Sequence, residues 1–258
     1  MLTFLNVKRE NGIAHIELNR PDKLNALSNE MVEELISELK NIEKDATIKV
    51  VILTGAGKSF CAGGDLEAMD SFTNSPEVLT HVEKALNLTT LLLDYDKYVI
   101  SAVHGYAAGA GFSLALASDF IVAHPSAKFG LNFVNVGLIP DLGLMKLLTQ
   151  RVSLPIVKEW VVSGKVLTAE EAKKYGILNR ISEKDLMSDT IEFAEFLLKG
   201  PPLSNKFVKY MLNHVMDADW KSVMMQETII QTLLLQTNDK NEGVRAFLEN
   251  RKPIFTGS

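Results

Sequence analysis

Residues 98–123 read YVISAVHGYAAGAGFSLALASDFIVA, and how they divide decides the fold. Tyr98–Val103 is a short apolar run of the kind buried on both faces of a sheet. Small residues follow, with glycines at 105, 109 and 111, and then an apolar stretch of helical length. Phe120–Ala123 is again a short apolar run. Strand, turn, helix, strand in that order implies a parallel sheet with helical crossovers. The rival reading is a membrane helix, because no formal charge lies between Lys97 and Asp119 and that length could span a bilayer. His104, Ser101, Ser113 and the glycines interrupt it, and its apolar residues are small. The buried strand–turn–helix reading is therefore preferred.

The same grammar extends outward. Alternating runs around Phe4–Lys8 and Ile13–Leu18 predict a strand pair turning at Asn11-Gly12. Ser28 predicts a helix cap, ahead of a buried stripe at Met31, Val32, Leu35, Ile36, Leu39 and Ile42. Val50–Gly55, VVILTG, predicts a buried parallel strand. A long helix is expected over 78–95. After about Pro140 the pattern turns helical. LTAEEAKKYG carries Thr168 as cap, Glu171 three residues on and Gly176 as stop. Pro201-Pro202 separates two further helices. The Leu- and Met-rich last third must cover the rest of the fold or a neighbouring subunit.

The chain has 258 residues and a net charge of −5, which argues against a nucleic-acid partner. Its single cysteine, Cys61, forms no internal disulfide and suits a reducing compartment. The N-terminus lacks a signal-peptide pattern, and the cytoplasm is the expected location. His15, His81, His124 and His214 have no metal-ligand spacing.

Three glycine-bearing segments are candidate sites. GAGKSFCAGGD, Gly55–Asp65, fails as a phosphate loop, because Phe60 and Cys61 follow Gly57-Lys58-Ser59 where a helix should open. It is either an ordinary turn or a place where Ala62 and Gly63 offer bare backbone to a ligand. Gly109-Ala110-Gly111 enters a helix, where N–H groups lack intrahelical partners and the dipole favours negative charge. Two such sites could converge on one oxygen as an oxyanion hole; the bland alternative is close packing by small residues. In GLIPDLG, Gly137–Gly143, Asp141 is either a helix cap or a carboxylate beside Leu138, Ile139, Leu142 and Leu144. Apolar surroundings raise a carboxylate's pKa and make it a proton acceptor.

Together these residues resemble a known family. LNRPDKLNALS, VVILTGAGKSFCAGGDL, HGYAAGAGFSLALASDFIVA, AKFGLNFVNVGLIPDLG, LTAEEAKKYGILNRI and EGVRAFLENRKPIF are similar to the crotonase superfamily, the enoyl-CoA hydratase/isomerase group. The resemblance implies an α/β fold: a spiral of ββα units with parallel sheets over residues 1–195, followed by a C-terminal helical region, 196–258. It implies backbone donors at Ala62 and Ala110 that hold a thioester oxygen. It further implies an adenine pocket near Lys23, Leu24 and Ala26, with coenzyme A passing Ala62, Gly63, Gly64, Asp65 and Leu66. Lys252, expected on the C-terminal helix, is a candidate for the phosphates, from the same or a neighbouring subunit. Coenzyme A arrives as part of the thioester substrate, and no permanently bound cofactor or metal is implied. Trimers or dimers of trimers are common in the family.

The chemistry departs from the hydratase pattern. Hydratases resembling this chain carry two glutamates, and here Ser113 and Phe133 stand in those places. Asn132 and Asn135 lie nearby but do not titrate. Asp141 occupies the place where some enoyl-CoA isomerases carry their acid. One carboxylate is enough to shuttle a proton, and an apolar pocket of Phe133, Leu138 and Phe72 would exclude water. Double-bond migration is therefore favoured. The rivals are a hydratase with atypical acids, a hydrolase using Ser113 and His104, and a non-catalytic acyl-CoA binder. Cys61 is read as packing.

Overall fold

The computed structural model describes residues 3–69 and 74–258; Phe72 lies outside them. The first hairpin forms where alternation predicts it, β1 (Leu5–Glu10) against β2 (Ile13–Leu18). Its turn is made by Asn11 and Gly12, both at positive φ. From β2 the sheet continues through β3 (Val50–Gly55), β4 (Tyr98–Val103), β6 (Phe120–Ala123) and β9 (Arg180–Ile181), all parallel. A second sheet holds β5 (Tyr106–Ala108), β7 (Lys128–Gly130) and β8 (Val166–Thr168). The expected α/β architecture with parallel strands is present.

Strand alternation explains the two-faced burial. Val51 and Leu53 of β3 join the main core, with Met31, Leu35 and Leu39 of α1 (Asn29–Glu43). Val50 and Ile52 point to the other face, which is covered by α8 (Leu186–Lys199) through Ala194 and Leu197. Ser28 accepts the Met31 N–H as the expected cap. Between β3 and β4 lie α2 (Leu66–Met69) and α3 (Ser75–Asp94). The glycine turn after β5 opens α4 (Ala110–Ala117), which is buried along its whole length. Then come α5 (Leu144–Thr149), α6 (Leu154–Ser163) and α7 (Ala169–Lys174), the last with a complete capping box of Thr168 and Glu171.

The chain ends in α9 (Pro202–His214), α10 (Trp220–Leu234) and α11 (Asn238–Leu248). The division expected at residue 195 falls inside α8, whose last turn still packs on the sheet. α8 ends at Lys199 and α9 begins at Pro202. Lys252 is not on a helix: α11 stops at Leu248, and Asn250 at positive φ turns the chain away. Among the described residues, no helix is long and apolar enough to cross a membrane.

Candidate active site

The segment after β3 runs beside β5. The Cys61 N–H donates to the Tyr106 carbonyl, and the Ala108 N–H donates to the Cys61 carbonyl, each at 3.0 Å. That pairing is parallel, with Cys61 opposite Ala107. Beyond it Gly63 lies beside Gly109: a Cβ on Gly109 would sit 3.8 Å from the Gly63 Cα. The contact is close: a Cβ on Gly63 would sit 3.0 Å from the Ala108 carbonyl oxygen and 3.7 Å from the Ala110 nitrogen. A Cβ on Gly111 would sit 2.2 Å from the Cys61 carbonyl oxygen. Only glycine fits there, so the small residues of both segments serve one crossing.

Along an extended segment successive N–H groups point to opposite sides. Cys61 faces β5, so Ala62 faces away, and its N–H donates to the Leu24 carbonyl at 2.9 Å. The expectation of a free donor at Ala62 is thereby corrected. On the same far side the Leu27 N–H donates to the Gly63 carbonyl, and the Asp65 N–H donates to the Leu27 carbonyl. The Gly64 N–H takes no part in the hydrogen bonds that stitch the crossing together. Ala110 opens α4, so its N–H has no carbonyl one turn back. The free pair at this crossing, among the described residues, is Gly64 and Ala110.

The structure brings the expected Lys23–Ala26 segment beside 62–66. Leu24 and Asn25, both left-handed, bend it there. Arg20 binds the Ala26 carbonyl and the Asp65 carboxylate, each within 2.9 Å. Lys23 reaches Glu67 at 2.6 Å. Asp65 also accepts the Ala68 N–H as a cap for α2. Lys252 is not part of this cluster; it lies within electrostatic reach of Glu195 on α8.

Leu66 and Met69 open onto a cleft of about 1010 Å³ whose opposite wall is Leu138, Ile139 and Asp141. Val78, Val82 and Leu86 of α3 supply a third, apolar wall. That stripe has helical spacing and is readable as a helix, but nothing in the sequence marks it as facing a cleft. Asp141 is half-buried, and its Oδ1 is buried without a hydrogen-bond partner among the described residues. Burial pushes its carboxyl up to about 6. It is not the cap of α5: Gly143 holds that position, with no side-chain cap bond.

The other expected groups have separate partners. Ser113 is fully buried and donates to the Gly109 carbonyl one turn back, at 3.4 Å. His104 contacts the Gly57 carbonyl at 3.1 Å. Phe133 is buried, its ring edge 3.8 Å from where a Cβ on Gly109 would be. Cys61 is buried, and desolvation pushes its thiol up to about 12. A thiol held neutral in this way is a packing group.

The enoyl-CoA hydratase/isomerase family profile matches residues 8–258. The chain belongs to this family. Within the enoyl-CoA hydratase/isomerase family, it is 36% identical to the 1,2-epoxyphenylacetyl-CoA isomerase of Escherichia coli K12 over 100% of both chains. It is 33% identical to the 2,3-dehydroadipyl-CoA hydratase of the same organism, over 98% of each. Among solved structures, it superposes on the enoyl-CoA hydratase of Bacillus anthracis with a TM-score of 0.94. That match has 31% identity and covers 99% of this chain and 100% of the other. Relatives of both isomerase and hydratase name thus lie at 36% and 33% identity, and the chain is a member of the crotonase superfamily of acyl-CoA enzymes.

Proposed function

We propose that the protein moves a double bond along an enoyl-CoA, with Asp141 as its one proton carrier. The observation that carries this reading is the unpartnered Oδ1 of Asp141 in an apolar cleft. With its carboxyl raised to about 6, the group is ionised at neutral pH yet keeps enough basicity to take a proton. The Asp141 carboxylate removes a proton from the carbon next to the thioester carbonyl of a β,γ-unsaturated substrate. The electrons pass into the carbonyl oxygen and form a dienolate. The N–H groups of Gly64 and Ala110 hold that oxygen. The Asp141 carboxylic acid then returns the proton two carbons further along, the α,β-double bond forms, and the carboxylate is restored. No water is consumed. Coenzyme A enters with the substrate, along Lys23–Ala26 and past Gly63–Leu66.

Hydration would need a second acid or base to orient water, and Ser113 and Phe133 are both buried in packing. Exposed Trp220, Met225 and Phe247 on α10 and α11 support a second copy of this chain covering that face, in a trimer or dimer of trimers. Sedimentation of the purified protein tests this, and a monomer at micromolar concentration would exclude it. The deciding experiment offers β,γ- and α,β-unsaturated acyl-CoAs to wild type and Asp141→Asn and identifies the products. Isomerisation lost in the variant, with thioester binding kept, is the expected result. Strong hydration of crotonyl-CoA that is insensitive to Asp141→Asn would defeat the proposal.

A further inference from the structure

Threonines inside helices usually turn their hydroxyl back onto the carbonyl one turn earlier. Thr90, Thr190, Thr228 and Thr232 all do so here, to Leu86, Leu186, Met224 and Thr228. Thr89 does not. It is buried on α3, and its Oγ1 donates across the fold to the Leu142 carbonyl at 3.1 Å. Leu142 is a buried, non-glycine residue at φ 48, and Gly143 follows at φ 74. The Thr89 methyl lies against this second residue, 3.7 Å from where a Cβ on Gly143 would stand. One side chain therefore holds both left-handed residues of the turn directly after Asp141.

The turn matters because of what Asp141 lacks. With no hydrogen bond on Oδ1, the carboxylate is not steered by a neighbouring donor. Its position is inherited from the backbone that carries it. A left-handed leucine is an uncommon conformation that persists only where its surroundings hold it.

We infer that Thr89 is the positioning residue for the proton carrier, acting by clamping the Leu142–Gly143 turn through its hydroxyl. This rests on the reading of Asp141 given above. Small displacements of a reacting group cost rate far more than binding, so the signature is a kcat effect.

The test uses trans-3-hexenoyl-CoA, with kcat and KM measured from pH 5 to 9. Thr89→Val keeps the shape and removes the donor; Thr89→Ser keeps the donor and removes the methyl. We expect Thr89→Val to lower kcat about 10- to 100-fold with KM within about twofold. The pH midpoint of its kcat should move away from the wild-type value, and Thr89→Ser should restore both. A valine variant with wild-type kcat and pH profile overturns the inference. So does a serine variant as impaired as the valine one, since packing would then be the cause. If Thr89→Val does not fold, Thr89→Ala carries the same comparison, and wild-type behaviour there is equally fatal. Asp141→Asn is run alongside. Isomerisation that survives it overturns the proton-carrier reading itself. Isomerisation abolished by it but untouched by Thr89→Val overturns only the clamp.

Discussion

Two aspartates withdrawn from water, Asp119 and Asp141, face the same physical problem and solve it differently. Asp119 stands just before β6 with its side chain 8% exposed. Its Oδ2 accepts the Val99 N–H at 2.7 Å and the Lys209 ammonium at 2.8 Å. Lys209 is itself only 1% exposed and also donates to the Lys97 carbonyl. Burial pushes the Asp119 carboxyl up and the Lys209 ammonium down, and their mutual attraction opposes both shifts. Asp141 is pushed up by burial too, to about 6, but has no cation and no donor on Oδ1. A carboxylate whose oxygen is occupied fastens α9 to the sheet. One left with a vacant lone pair in an apolar wall is able to take and release a proton. Burial alone does not separate a fastener from a reactive group; the partner does.

The largest expected effect tests the reactive side of this contrast. Asp141→Asn should lower the isomerisation rate by about 10²–10⁴-fold, the usual contribution of a positioned acid–base group. Chemical denaturation should show its fold intact. The opposite pattern belongs to the fastener. Lys209→Met leaves Asp119 buried without its cation and should lower unfolding free energy by about 3–5 kcal/mol, with the activity per folded molecule preserved. If Lys209→Met instead abolished turnover in fully folded protein, the distinction between the two aspartates would fail.

pH sharpens the comparison with a smaller effect. The folded-state carboxyl of Asp141, at about 6, lies above its ordinary value of 3.8. The folded chain thus holds this proton more tightly than the unfolded chain does. Stability from this group is complete below about pH 4 and is lost as pH rises through about 6. Asp141→Asn cannot ionise, so at pH 8 it should be more stable than wild type by on the order of 1 kcal/mol, a value reduced by the water that reaches the turn. The two should converge near pH 4. Catalysis runs the other way, because the base form acts: kcat should rise as pH increases through about 6. Thermal melts and rate profiles on the same samples read both trends. The smallest effect concerns Ser113, whose hydroxyl only returns to its own helix. Ser113→Ala should change stability by less than about 1 kcal/mol and leave isomerisation near wild type. Thiol release that depended on Ser113 would revive the hydrolase reading.

Much of this was legible in the sequence because it depends on local patterns. Hydrophobic runs and caps located β2, β3, β4, β6, α1 and α7. The short strands β5, β7, β8 and β9 escaped notice, since two or three residues are too few to show alternation. Asp141 could be picked out as a carboxylate among leucines. Ala62 was expected to offer a free donor, but its N–H is taken by the Leu24 carbonyl, because small size alone does not reveal which way an N–H points. Knowing that Cys61 pairs with β5 would have decided it, and that pairing joins segments distant in the chain. Lys252 was placed on a helix that ends before it, and Thr89 showed no local signal at all.

The chain by itself determined its elements, its buried strands, its family and the presence of a carboxylate, Asp141, among leucines, because each follows from neighbouring residues and their period. Only the tertiary structure decided which amides remain free at the crossing of the two glycine segments. It alone decided which aspartate is paired and which hydroxyl meets the turn after Asp141. Those outcomes depend on the direction of hydrogen-bonding groups between segments far apart in sequence, and that direction exists only once the segments are packed together.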